Sequence, residues 1–476
     1  MENTTYRVRV HKTEVRKNVA GKVTSYRVQW STDGKPWKRT FQKSAQADAY
    51  RSKLLTAARE GEPFSLVTGE PVKWSRVERP EMTWYDFACK FADFKWKAAS
   101  AKYRQDIARA LTAATPAMLT NSKDKPSDLD LRTAMRRWGF NTKQRAGASE
   151  EVAEVLAWLA KNTRPISALT EAATVRALLD AATSRLNGKT AATSTIRRHK
   201  TILQNAMDYA VELKLLDSNP IKALKWKPPR VTYEVDRRSV VNHSQARRLL
   251  AAVEAQQPSG KRLVAFFAVI YYAGLRPEEV VRLGEDNIIL PDLVRNPETG
   301  ELQEPADEWG ELRFAGAAPF AGREWTDDGR LREERALKHR AEGEARVVPC
   351  PPALVRIFRA HLVEFGTGPG GRLFTGVRGG ELAGITCRRV WAKAREQALT
   401  TKEAQSPLAK RIYDLRHACV STWLNAGVPA TQVAEWAGHS VDVLLRIYAK
   451  CVVGQDEAAK RRITEALKDL DPPALA

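Results

Sequence analysis

The chain has 476 residues, enough for about three units of roughly 100 to 200 residues that each bury a core. Lys and Arg outnumber Asp and Glu by 78 to 56, a formal net charge of +22, so the natural partner is a polyanion, with nucleic acid ahead of a membrane surface. No apolar run approaches the roughly 18 residues of a spanning helix, and no N-terminal segment reads as a secretory signal. The scattered cysteines Cys89, Cys350, Cys387, Cys419 and Cys451 make neither a zinc pattern nor a disulfide framework. A cytoplasmic protein with no membrane partner is expected, its cysteines reduced and packed as small buried hydrophobes.

In chain order, residues 1–80 come first, with 17 Lys or Arg against 8 Asp or Glu, and read as a separate basic module and linker. Alternation at residues 6–10, 25–31 and 37–42 predicts three strands, the last two joined across Asp33-Gly34, with a helix from about Ser44. Tyr6, Val8, Tyr26, Val28, Trp30, Trp37 and Phe41 are expected to face that helix through Tyr50, Leu54 and Leu55. Arg7, Arg9, Arg27, Gln29, Lys38 and Thr40 then share the opposite face. Arg and Gln can reach base edges in a major groove while Lys neutralises phosphates; a merely solvated face is the alternative.

Residues 81–225 carry amphipathic runs at 83–97, 101–115, 149–162, 169–186 and 193–213, which predict an all-α unit. In the last run Ile196, Leu203, Ala206, Ala210 and Leu213 form the buried stripe. Arg197, Arg198, His199 and Lys200 cluster at its start, either gripping phosphate or simply solvated. Around 226–238 the chain is expected to be an extended basic linker able to track a DNA backbone, with Lys225, Lys227, Pro228, Pro229 and Arg230 in or beside it. Residues 239–476 open with helical patterns at 244–255 and 261–274, continue through strand-like segments including 311–314, and return to helices, an α+β unit.

That last unit holds a recognisable chemistry. Cutting a phosphodiester without metal needs a nucleophile, cations for the charged transition state and an acid for the leaving oxygen. Arg276 sits in Gly274-Leu275-Arg276-Pro277, where an apolar helix meets Gly and Pro. Arg416 follows in Tyr413-Asp414-Leu415-Arg416-His417, then His439 in Ala437-Gly438-His439, and Tyr448 in an amphipathic segment with Leu444, Leu445 and Ile447. Singly these motifs are weak, since Gly-Leu-Arg-Pro ends helices, Gly-His marks turns and a Tyr on an apolar face is usually core. Their ordered coincidence carries the reading.

In this order and spacing the blocks resemble the signature boxes of the tyrosine recombinases, the phage integrase family. The three-part layout is similar to the arm-binding, core-binding and catalytic parts of lambda-type integrases. The wording Leu337-Lys338-His339 before Arg346-Val347-Val348-Pro349 resembles integrases of actinobacterial phages and integrative elements. The resemblance implies a multidomain fold: a small three-stranded sheet plus helix, an all-α core-binding domain, and an α+β tyrosine recombinase catalytic domain. It implies that Arg276 and Arg416 clamp the scissile phosphate through planar guanidinium forks. Lys338 on a β-hairpin would protonate the leaving 5′ oxygen, His439 would bind the phosphate, and Glu279 would support the site. Tyr448 would attack, leaving a 3′-phosphotyrosyl bond and a free 5′ hydroxyl.

No metal or nucleotide cofactor is implied. The implied partners are double-stranded DNA attachment sites and a homo-tetramer working through a Holliday junction, with an excisionase or directionality factor and a host DNA-bending protein left open. Two features depart from the family. Tyr413 stands where His is usual, and a phenol is a weak base near neutrality. The acidic stretch 291–310 enlarges the loop ahead of Lys338. Residues 456–470, with Ala459, Ile463, Leu467 and Leu470 on one side, either cap their own unit or dock on a neighbouring protomer. The competing functions are a type IB topoisomerase-like enzyme, disfavoured by the N-terminal module, and a catalytically silent DNA-binding regulator, disfavoured by Arg276, Arg416, His439 and Tyr448.

Overall fold

The computed structural model describes residues 4–75, 81–120, 123–185, 189–226, 234–337, 343–448, 451 and 456–467. Lys227 and Lys338 lie outside the described residues.

At the N-terminus the strands Val8–Val10 and Glu14–Lys17 run in tandem along one edge of the long strand Val23–Thr32, and Lys35–Phe41 pairs along its other edge. The Asp33-Gly34 turn has φ of 47° and 84°, the left-handed geometry that matches a two-residue hairpin to strand twist. Helix Ser44–Arg59 closes one face, packing its Ala47 and Leu54 with Val28 and Trp30. The three expected strands are therefore four. Glu14–Lys17 went unpredicted because all four of its residues are exposed, which leaves no apolar alternation to read. Tyr6 is not on the helix-facing side but 72% exposed, because the chain bends there so that Thr4–Thr5 can pair with Phe64–Ser65.

Helices Trp84–Trp96, Ala101–Ala114, Glu150–Asn162, Ala172–Thr183 and Thr193–Glu212 surround a second core that includes Phe87, Phe91, Leu111, Leu159 and Leu203. Thr83 and Ser100 cap the first two by accepting backbone N–H groups of Asp86 and Tyr103, each satisfying a donor the helix cannot. The run expected at 169–186 begins as a 3-10 turn, Ile166–Thr170, and becomes α-helical only after Glu171, whose backbone is extended.

The largest core, with Phe266, Phe267, Val348, Phe358 and Trp391, is built by helices His243–Glu254, Gly260–Tyr272, Pro352–Phe365, Gly384–Ala398 and Asp414–Asn425 with a small antiparallel sheet. In that sheet Gly310–Phe314 lies between Ile288–Ile289 and Arg346–Cys350. The acidic stretch contains a short hairpin, Val294–Arg295 with Leu302–Gln303. The helix Asp456–Leu467 leaves Ile463 and Leu467 exposed, while Arg462 donates to the carbonyls of Ala426 and Gly427. Among the described residues no helix is long and apolar enough to cross a membrane.

One connection had no sequence signal. The segment between the paired strands Gly316–Ala317 and Arg335–Ala336 crosses to the helical unit, where Ala321 and Trp325 enter its core. The Arg104 guanidinium grips Asp327 through two hydrogen bonds of 2.8 and 3.0 Å and reaches the Trp325 carbonyl at 2.9 Å. Asn141 Nδ2 donates to the Glu324 carbonyl at 3.0 Å, and the Glu333 carboxylate accepts the Ala101 N–H at 3.1 Å. This strap fixes the helical unit beside the α+β unit and so shapes the cleft between them.

Candidate active site

Four helical segments and the start of the strand Arg346–Cys350 meet where Arg276 and Glu279 line that cleft. The apolar helix Gly260–Tyr272 ends at Gly274, whose φ of +63° turns the chain so that Arg276 caps the short helix Pro277–Val280. Arg416 and His417 lie in the first turn of Asp414–Asn425. Helix Ala430–Ala437 stops at Gly438 in the left-handed conformation and delivers His439. Leu444 and Tyr448, four residues apart on Val441–Tyr448, share its buried face.

At the centre lies Glu279, 2% exposed. Its carboxylate accepts from Arg276 Nη1 at 2.7 Å and from the Arg276 backbone N–H at 2.7 Å. It also takes Nη1 and Nη2 of Arg346 at 3.1 and 2.7 Å. Burial pushes this carboxyl up, but the adjoining Arg346 and Arg276 charges win and hold it at about 2. Glu279 is thus the anion that lets two guanidiniums sit side by side, and the remaining Nη2 of Arg276 donates to the Gly438 carbonyl at 2.8 Å.

Arg416 is completely buried. It donates to the carbonyls of Gly274 and Ala437, and its Nη2 contacts Nε2 of His439 at 2.9 Å. A guanidinium only donates, so Nε2 of His439 accepts and the ring proton belongs on Nδ1. Burial, then the charges of Arg416, Arg276 and Arg346, pushes His439 down to about 3 and keeps it neutral. Nδ1 of His439 and Nε of Arg416 are buried without hydrogen-bond partners, a costly state that an incoming anion would relieve.

Tyr448 is 1% exposed, and its hydroxyl lies 2.9 Å from Nδ1 of His417. Burial raises the phenol far above its ordinary value while the nearby Arg416 works the other way. Tyr413 does not take the Tyr448 hydroxyl; its ring packs edge-on against His417 with centroids 5.1 Å apart. Arg276, Glu279, Tyr413, Arg416, His439 and Tyr448 therefore lie together in one cluster. Sequence reasoning missed Arg346 and His417. Both stood in quoted motifs, Arg346-Val347-Val348-Pro349 and Leu415-Arg416-His417, but nothing in either motif shows what approaches them from other segments.

The candidate DNA contacts fare unevenly. Arg27, Gln29, Lys38 and Thr40 do share one sheet face, since Arg27 pairs with Thr40 and Gln29 with Lys38 across the strands. Glu14, on the unpredicted strand, joins them: its carboxylate accepts from Gln29 Nε2 at 2.9 Å and lies 3.6 Å from Arg27. Arg9 is exposed, and Arg7 lies 3.8 Å from Asp33. Arg198 pairs with Asp106 at 2.8 Å, Lys200 donates to the Trp226 carbonyl, and Arg197 is half-buried. Lys225 is exposed. Lys102, Arg198, Arg276, Arg332, Arg335 and Arg388 line a cleft of about 690 Å³ between the helical and α+β units. Among the described residues no group of three or more His, Cys, Asp or Glu converges as a metal site.

No protein-family model and no curated protein matches the chain. Solved structures do. The Tn1549 transposon integrase in complex with transposon right-end DNA is similar over 81% of this chain and 99% of that one, at 14% identity and a TM-score of 0.44. The XerH site-specific recombinase bound to its difH substrate is similar over 82% and 97%, at 10% identity and 0.44. The lambda integrase dimer bound to a core site is similar over 94% of each chain, at 12% identity and 0.43. Superposition at that level assigns neither mechanism nor substrate, which rest on the side chains.

Proposed function

We propose that this protein is a site-specific DNA recombinase of the tyrosine type, with Tyr448 as its nucleophile. The observation that carries the reading is the meeting of a buried phenol with Arg416, His439 and His417, contributed by separate segments of one basic chain. A core position for Tyr448 explains its burial, but not the two histidines and a fully buried arginine gathered around it.

A phosphodiester arriving in the cleft offers its non-bridging oxygens to Arg276, Arg416 and His439 in place of the carbonyls that now occupy the guanidiniums. The negative charge growing on phosphorus is then met by preorganised donors in a water-poor site. Tyr448 Oη forms a bond to phosphorus as the bond to the 5′ oxygen breaks, leaving a 3′-phosphotyrosyl intermediate. Lys338 is the proposed acid for the departing oxygen. Bond energy stays in the phosphotyrosyl link, so a 5′ hydroxyl from a second strand reverses the step without ATP.

The same reading takes residues 1–80 as the arm-type DNA-binding unit, 81–225 as the core-binding domain, 226–238 as a basic linker and 239–476 as the catalytic domain. It takes attachment sites of a phage or mobile element as substrate, four protomers on a Holliday junction as the working assembly, and the cytoplasm of a bacterial host as the location, on the nucleoid when bound to DNA.

The test is covalent trapping. Nicked suicide duplexes carrying the ends of the protein's own element are incubated with it and resolved on a denaturing gel. A protease-sensitive adduct that disappears in Tyr448→Phe, with DNA binding retained, supports the reading. Tight site-specific binding with no adduct makes the protein a non-catalytic DNA-binding regulator instead.

A further inference from the structure

We propose that His417, not the residue at 413, accepts the proton of Tyr448 as the phenol attacks phosphorus. This rests on Tyr448 being the nucleophile. The geometry is direct: Nδ1 of His417 lies 2.9 Å from Tyr448 Oη, with ring centroids 5.6 Å apart. That is the hydrogen-bond reach a general base requires, present before any substrate arrives.

The other neighbours of the phenol are unsuited to the task. His439 has its one acceptor nitrogen, Nε2, committed to Arg416. Tyr413 offers a neutral phenol, a poor proton acceptor, and its ring instead buttresses His417 one helical turn further on. His417 is only half-buried, so an imidazolium there is not cut off from water. Burial, with Arg411 and Arg416 beside it, holds His417 down at about 4, so near neutrality the imidazole is neutral and able to accept the hydrogen bond of the phenol.

The Oη–P bond forms, and the P–O5′ bond breaks with its electron pair on the 5′ oxygen. An ammonium acid, the part proposed for Lys338, protonates that oxygen. The phenol proton moves to Nδ1 of His417, giving a transient imidazolium. When an incoming 5′ hydroxyl expels the tyrosine, its proton passes to the amine left by the first step and the imidazolium returns its own proton to Oη.

The experiment measures single-turnover cleavage of nicked suicide duplexes by the full chain, unsubstituted and as His417→Ala and His417→Gln. Cleavage is expected to slow by about 10²- to 10⁴-fold in both, with DNA affinity nearly unchanged, because glutamine keeps an acceptor but cannot take a proton. Two further arms separate a base from a packing residue. Replacing Tyr448 by a fluorinated tyrosine of more acidic hydroxyl should restore much of the loss in His417→Ala. A 5′-bridging phosphorothiolate duplex, whose thiolate leaves unprotonated, should not.

Unsubstituted rates in His417→Ala, no recovery with the fluorinated tyrosine, or rescue by the phosphorothiolate would each overturn the assignment while leaving the nucleophile in place. Absence of any tyrosine adduct with the unsubstituted protein removes the nucleophile, and this assignment with it.

Discussion

Glu279 and Arg346 face each other through two near-parallel hydrogen bonds, 3.1 and 2.7 Å long, with side chains 2% and 1% exposed. Neither group is reachable by water, and each is the other's main compensation for burial. Removing Glu279 strands the buried Arg346, at a cost of about 3–5 kcal/mol, and removing Arg346 leaves Glu279 buried with Arg276 as its one remaining cationic hydrogen-bond partner among the described residues. Arg346→Ala is therefore expected to lower the denaturant midpoint sharply and to abolish cleavage, since Glu279 also positions Arg276. The double variant Glu279→Gln with Arg346→Met should recover part of the stability but none of the cleavage. Equal destabilisation by the single and double changes would contradict this coupling.

Gly438 gives a sharper test of how the arginines are placed. Its φ is +63°, and a Cβ there would lie 2.2 Å from Arg346 Nη1 and 3.4 Å from Arg276 Nη1. Gly438→Ala combines a left-handed alanine, costing about 1–2 kcal/mol, with displacement of a pinned guanidinium. Cleavage should fall by a larger factor than the stability loss explains, measured at a temperature where the variant is fully folded. A variant that merely melts earlier while cleaving normally would show that the site tolerates the shift.

The site's outline was legible because its chemistry is local: Arg276 beside a helix break, Arg416 and His439 in short motifs, Tyr448 in phase with Leu444 on an amphipathic helix. Arg346 and His417 were not, because their roles depend on what approaches from other segments, Glu279 in one case and Tyr448 in the other. The helical unit followed from its period, and each predicted helix of that unit is found within a few residues. Glu14–Lys17 escaped because an exposed edge strand carries no apolar alternation, and the strap through Trp325 because a tryptophan amid polar residues reads as loop.

Glu14 leads to a prediction for the sheet face. Its carboxylate sits among Arg27 and Gln29, neutralising one and engaging the other. If that face meets DNA, Glu14→Gln should tighten binding and steepen its decline with salt, since more cationic charge then displaces counterions. Affinity and salt slope read from titrations at several salt concentrations decide it; no change in either means the face is solvated.

Acid should weaken the fold in a defined window. Burial, aided by neighbouring arginines, depresses His417 to about 4 and His439 to about 3, from an ordinary 6.5, and burial lowers His199 and His361 as well. Below about pH 6.5 the unfolded chain takes up protons that the native site refuses, so stability falls as pH drops toward 4. Glu279, held at about 2, contributes above the ordinary carboxyl range and loses its contribution only as pH falls through that value. Denaturant midpoints should therefore decline between about pH 7.5 and 5. A flat profile over that range is incompatible with neutral buried histidines.

The strap also has a consequence for how the chain is made. Trp325, which the helical core encloses, is synthesised 221 residues after Arg104, the residue that holds its carbonyl. At about 5–20 residues per second, the helical unit, which ends at about residue 225, leaves the ribosome about 5–20 s before the side chain that completes it. Through that interval its apolar pocket stays open, a place for a chaperone or for misfolding. A fragment ending before residue 318 would keep that vacancy permanently, lacking a piece of its own interior.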